Sequence, residues 1–276
     1  MTALLLALLT VHAAPTPAVE VLFVKVGPNA RVVGRSAGQE RAVVLIHGLT
    51  LHPIAKDKVA KAQLRPWQQQ DSTLVKEVSR HADVYALAYG QTTPCERIAE
   101  SPLLLKHLRG LKKSGYREIV LVGHSAGGLI ARQIVEDHDD IGITKVIQVC
   151  SPNGGTNWAA LKAARAVQKP FLASLTHASR EKFLKERKDK RIPTAIQFAC
   201  VVAIVHLGGD MLVSCKSQWT EDLQAQGIPA HLLKATHWDA VRSPKGAELL
   251  GRLVDEAQQR WDEGAVREAR KKLLGG

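Results

Sequence analysis

Ile119-Val120-Leu121-Val122-Gly123-His124-Ser125-Ala126-Gly127-Gly128 is an apolar, β-branched run that breaks into small residues around one serine and turns amphipathic from Leu129. The pattern predicts a strand, a sharp turn and a helix. A serine at such a turn is forced towards a positive-φ backbone that holds Oγ clear of both elements. Glycines two residues to either side, Gly123 and Gly127, let the helix and the neighbouring strands approach without Cβ clashes.

A strand-to-helix Gly-x-Ser-x-Gly of this kind resembles the nucleophile elbow of the α/β-hydrolase superfamily, and in particular the bacterial lipases and serine esterases whose elbow serine also follows a histidine. The resemblance runs from about Ala42 to His237 and rests on three separated motifs. It implies an α/β fold, a mainly parallel sheet flanked by helices with a helical cap or lid, and a catalytic Ser125. The second motif is Ala42-Val43-Val44-Leu45-Ile46, a continuous apolar run suited to a parallel strand buried on both faces, which stops at His47-Gly48-Leu49. In the resembled family such a His-Gly-hydrophobic end supplies half of the oxyanion hole, here the N–H of Leu49; the other half is the N–H of Ala126, the residue after the nucleophile.

A serine hydroxyl needs a neighbouring base, and the base needs a carboxylate to fix its tautomer. The superfamily order is serine, acid, histidine, each at the end of a sheet strand. His237 follows the last predicted strand, Ile228 to Leu233, and is the expected base. Asp210 is the expected acid: it ends the penultimate strand, and Asp210-Met211-Leu212-Val213 resembles the family's Asp-x-hydrophobic-Val segment. Asp222 is the alternative. The other strand end that supplies an acid in some members, Cys150-Ser151-Pro152-Asn153, offers no carboxylate. His124 points away from its neighbour Ser125 and is expected to pack against the sheet or a loop, His206 reads as a strand histidine, and Asp239 as a cap of the segment after His237.

Strand and helix patterns alternate along the chain. Strands are expected at Val19–Val26, Val84–Ala88, Lys145–Cys150 and Ala195–Leu207, and helices at Ser72–His81, over Arg97–Lys113 with a start or kink at Pro102, and from Pro244 to Trp261, with continuation towards Leu274. Between Trp158 and Arg191 no strand pattern occurs. An apolar first half and the basic run Arg180 to Arg191 mark this stretch as a cap or lid, expected to meet an anionic interface and control access to Ser125.

The chain has 276 residues, 45% of them hydrophobic, which suits one domain, 14–276, with a single large core. Because only 4% are aromatic, the core and any substrate pocket are expected to be aliphatic. Residues 1–13 form an apolar leader followed by small residues, the pattern of a signal peptide too short to span a bilayer, although only the terminal amine charges its start. That leader predicts a secreted or periplasmic protein. With export, at least one disulfide is expected among Cys95, Cys150, Cys200 and Cys215.

The net charge of +12 favours acidic surfaces, but basic residues are not interleaved with aromatics and no helix-turn-helix or zinc spacing occurs, which argues against a nucleic-acid module. No metal or organic cofactor is implied. The resemblance thus points to a secreted hydrolase of carboxylic esters, lipid or aliphatic, acting through an acyl-enzyme. A thioesterase, amidase or acyltransferase on the same triad, or a catalytically silent basic surface-binding protein, are the alternatives.

Overall fold

A computed structural model describes residues 19–50, 56–157, 166–205 and 208–274, and the side chains of all of these except 56 and 57. The expected leader, the start of the cap at Trp158 and His206 lie outside the described residues. The element order is β1 (Val21–Val26), β2 (Arg41–Ile46), α1 (Lys56–Ala60), α2 (Thr73–Val78), β3 (Asp83–Tyr89), α3 (Cys95–Ala99), α4 (Pro102–Lys113), β4 (Glu118–His124), α5 (Ala126–Asp137), β5 (Lys145–Val149), α6 (Lys169–Ala173), α7 (His177–Glu186), β6 (Gln197–Ile204), α8 (Cys215–Gln218), α9 (Glu221–Ala225), β7 (Ala230–Lys234), α10 (Asp239–Arg242), α11 (Pro244–Asp255) and α12 (Glu263–Leu274). The strands form one seven-stranded sheet in the order β1-β3-β2-β4-β5-β6-β7. Only the edge strand β1 runs antiparallel, along β3; every other pair is parallel.

Alternation along the strands builds a core on each face of the sheet. In β2, Ala42, Val44 and Ile46 pack with α3, α4 and α5 on one face, while Val43 and Leu45 pack with α2 and α11 on the other. A strand covered twice has no polar face to show, which is why these runs read as continuous hydrophobics. Parallel strands also bring their carboxyl ends to one edge of the sheet. The loops after β2, β4, β6 and β7 therefore converge, and they carry Leu49, Ser125, Asp210 and His237.

Helix boundaries differ from the sequence expectation where a single side chain intervenes. The helix expected over Arg97–Lys113 is two helices, because Pro102 opens α4 and Ser101 caps it by accepting from the Leu104 N–H at 3.5 Å. The long C-terminal helix is likewise broken. Lys145, buried on β5, donates its ammonium to the carbonyls of Leu253, Val254 and Glu256 at 3.1, 2.7 and 2.7 Å, so α11 ends there on a cation and α12 starts afresh at Glu263. Burial holds the Lys145 amine down at about 8. Among the described residues no helix is long and apolar enough to cross a membrane.

The expected disulfide is not present: Cys95, Cys150, Cys200 and Cys215 are all free and buried. Each thiol lies in or beside an apolar strand or helix and packs as a small hydrophobe, with its ionisation pushed up by burial. Thiol titration of unreduced, denatured protein is expected to count four; a count of two would mean that one pair closes in solution.

Candidate active site

The Ser125 backbone takes φ 55° and ψ −126°. A non-glycine residue there carries strain on the order of 1–3 kcal/mol, so the surroundings must hold it. They do so from both sides. Its N–H donates to Val149 O at 2.8 Å, and its carbonyl accepts from Gly128 N at 3.0 Å. Close approach explains the flanking glycines: a Cβ on Gly123 would lie 2.5 Å from Gly128 Cα, and one on Gly127 only 2.3 Å from Ile46 O. Because the Ser125 carbonyl is turned into the helix and the peptide is trans, the Ala126 N–H points the opposite way.

The same reasoning orients Leu49. Gly48 O accepts from Gln91 Nε2 at 2.8 Å and lies 2.8 Å from His47 Nδ1, so the next N–H, that of Leu49, is directed away from both. Among the described residues neither the Leu49 nor the Ala126 N–H has a backbone acceptor. The loop is held at its far end as well, where Gln168 Nε2 donates to Thr50 O at 2.6 Å and to Gln91 Oε1 at 2.9 Å.

Asp210 and His237 meet. The Nδ1 of His237 lies 2.7 Å from Asp210 Oδ2, and the His237 N–H donates to Asp210 O at 3.0 Å. The other carboxylate oxygen accepts from the Leu212 and Val213 amides at 2.9 and 2.8 Å. Burial alone would raise this fully buried acid; the hydrogen bond and charge of His237, with the two amides, outweigh it and keep the carboxyl below its ordinary range. Asp210 therefore stays ionised and its partner Nδ1 carries the proton. In this resting geometry Ser125 Oγ makes no hydrogen bond among the described residues, but Ser125 and His237 line one cavity of about 360 Å³ together with Leu49. Its volume is that of an ordinary small-molecule site.

The sequence matches the alpha/beta hydrolase family over residues 43–274. The chain belongs to this family. Solved structures agree on the fold of this alpha/beta hydrolase. The mature form of the Bacillus licheniformis lipase BlEst2 superposes with a TM-score of 0.59 at 14% identity, covering 85% of this chain and 97% of that one. A lipase-esterase related protein from Clostridium acetobutylicum gives 0.54 at 12% identity, over 84% and 98% of the two chains. Phospholipase PlaB from Legionella pneumophila gives 0.57 at 13% identity, over 85% of this chain and 64% of its own. No curated protein matches by sequence.

Two residues weighed from sequence sit differently in this alpha/beta hydrolase. Asp222 is turned away from His237 and pairs with the guanidinium of Arg132, which also holds Glu136 at 2.7 Å. His124 does more than pack: its ring lies 4.8 Å from that of His237, and its Nε2 donates to the His237 carbonyl at 2.9 Å. Burial, then the nearby His237, press His124 down to about 3, so it is neutral and positions the loop that bears the expected base. The Cys150 thiol joins these two rings, with ligand atoms of all three within 4.8 Å of one another. Burial, with the adjacent Asp210, pushes the ionisation of that thiol up.

Part of the basic run of the cap is paired with carboxylates, while Lys185, Lys188 and Arg191 are exposed. Arg180, with a 2% exposed side chain, pairs with Glu96; Arg187 pairs with Glu136 and Asp137; Lys190 pairs with Asp137, and Lys182 with Glu186. The described half of the cap is thereby tied to α3 and α5. Arg65 and Arg242, which sequence patterns did not single out, line the cavity beside Trp67 and Trp238. No spacing or motif marks them, since Arg65 lies in an irregular stretch and Arg242 on the four-residue helix α10.

Gly48→Ala tests the loop geometry. An added Cβ would lie 2.4 Å from Ser125 Cβ and 2.8 Å from His124 O, so the loop must shift. Turnover is expected to fall about 10²-fold with the melting temperature little changed, because catalytic groups displaced by ~1 Å lose about that factor. A steady-state assay alongside thermal unfolding checks both.

Proposed function

We propose that this alpha/beta hydrolase cleaves carboxylic esters with lipid or aliphatic acyl groups through an acyl-enzyme. What supports the reading most is the 2.7 Å contact between Asp210 and His237, on the cavity that Ser125 also lines. Ser125 Oγ attacks the ester carbonyl and His237, through Nε2, removes its proton. Asp210 holds the ring and stabilises the imidazolium that forms. The Leu49 and Ala126 amides, each aimed by a tethered carbonyl on the preceding residue, receive the oxyanion. His237 then protonates the leaving alcohol, and water, activated by the same histidine, releases the acid. The names of the structural neighbours, a lipase, a lipase-esterase related protein and a phospholipase, agree with ester chemistry. The apolar leader supports action outside the cytoplasm.

Ser125→Ala is expected to abolish fluorophosphonate labelling and to lower ester turnover by about 10⁴-fold or more while leaving the fold intact. Near-normal hydrolysis by the folded variant overturns the proposal, and absence of labelling in the wild type means a silent scaffold. Asp210→Asn should fall by about 10⁴-fold in kcat, the cost of a wrong histidine tautomer. Asp222→Asn should instead lose about 1–3 kcal/mol of stability, read by urea unfolding, because Arg132 loses a charged partner, and keep kcat within a few-fold. The opposite pattern moves the acid to Asp222.

A further inference from the structure

Among the described residues the cavity wall contains two arginines and no carboxylate. Its lining includes Arg65 and Arg242 but no Asp or Glu, and the nearest acid of the mechanism, Asp210, is fully buried beneath His237.

Arg65 stands apart from the other enclosed arginines. Arg132, Arg180 and Arg187 each meet a carboxylate, and Arg260 donates to two carbonyls, at 2.9 and 3.0 Å. The Arg65 guanidinium has no ion pair among the described residues, and its Nε is buried without a hydrogen-bond partner. Burial lowers its proton affinity from the ordinary arginine value, yet a guanidinium stays charged at any working pH. Its backbone is fixed. The Arg65 N–H donates to Gln68 Oε1 at 3.0 Å, and Gln68, fully buried, donates to the carbonyls of Leu45 and Leu87 at 2.8 and 3.0 Å. The turn that carries Arg65 is thus bolted to β2 and β3. Arg242 is exposed and has no ion pair among the described residues, and it lies close enough to His124 for its charge to press that ring down.

A partly desolvated cation on a fixed backbone, without a counter-charge among the described residues, gains when an oxyanion reaches it. Its planar fork suits carboxylate or phosphate oxygens. We infer that this site takes esters that carry an anionic group of their own, a carboxylate on the acyl part or a phosphate on the alcohol part, held by Arg65 and Arg242 while the ester carbonyl faces Ser125. The inference rests on the ester-hydrolase reading above. The surplus of 38 Lys and Arg over 26 Asp and Glu would draw such substrates towards the protein at low salt.

Two matched pairs of soluble esters test it. In the acyl arm, para-nitrophenyl hexanoate is compared with the mono-para-nitrophenyl ester of adipic acid. In the alcohol arm, dihexanoylglycerol is compared with dihexanoyl phosphatidic acid below its micellar concentration. For wild type, kcat/KM is expected to favour the anionic member of one arm by about tenfold or more at low salt, the size of a charge-assisted hydrogen bond, and to favour it less as salt rises. The arm that shows the preference identifies the source of the anion. In Arg65→Gln and Arg242→Gln the ratio of anionic to neutral ester, taken within each variant so that loss of folded protein cancels, should shrink at least about fivefold, and Arg65→Lys should retain part of it.

Wild type that hydrolyses both members of both pairs equally overturns the inference and leaves the ester-hydrolase reading standing. A preference that survives in both glutamine variants also overturns it. Absence of turnover on all four esters, together with absence of fluorophosphonate labelling, overturns the ester-hydrolase reading itself and this inference with it.

Discussion

Everything near the site depends on holding Ser125 in a backbone conformation that an isolated chain would leave. The strain is borne by hydrogen bonds to Val149 and Gly128 and by the near-contact of α5 with β2 and β4 that Gly123 and Gly127 allow. Such a turn is tolerable only inside a sheet already closed on both sides, which is what the two hydrophobic layers achieve. Rigidity of the core and presentation of one buried hydroxyl to the cavity are here the same fact.

A second theme is the use of buried amides and rings as fixings. Gln91 and Gln168 set the loop after β2, Gln68 sets the Arg65 turn, and His124 sets the loop after β7. Each donor is tied to a backbone carbonyl, so removing one loosens the loop or turn it sets. The ionic cluster of Arg132, Glu136, Asp222 and Arg187 does a related job for the cap: it couples α7 to α5 through charges that are themselves largely desolvated.

The sheet and three of its strand ends were readable from residues alone, because a strand buried on both faces has a plain apolar signature and its end is marked by Gly, Asp or His. Ser125, Asp210 and His237 were singled out by those strand ends together with the family resemblance, and the fold places all three at one edge of the sheet. The helix breaks at Pro102 and after Asp255 were less so: the first is signalled locally, while the second depends on Lys145, over a hundred positions away in sequence. Arg65 and Arg242 gave no signal, since a cation that lines a cavity and one that faces solvent look alike in a sequence. Within the basic run of the cap, only three-dimensional pairing distinguishes Arg180, which meets Glu96, from a solvated lysine.

The side chain of Gln168 has an unusual position: one amide nitrogen bridges the start of the cap to Thr50 and to Gln91, hence to the loop that presents the Leu49 N–H. Cap and loop are therefore joined through one side chain, and because Phe171 and Leu175 seat the same segment in the hydrophobic core, the setting of the Leu49 N–H is mechanically linked to that core.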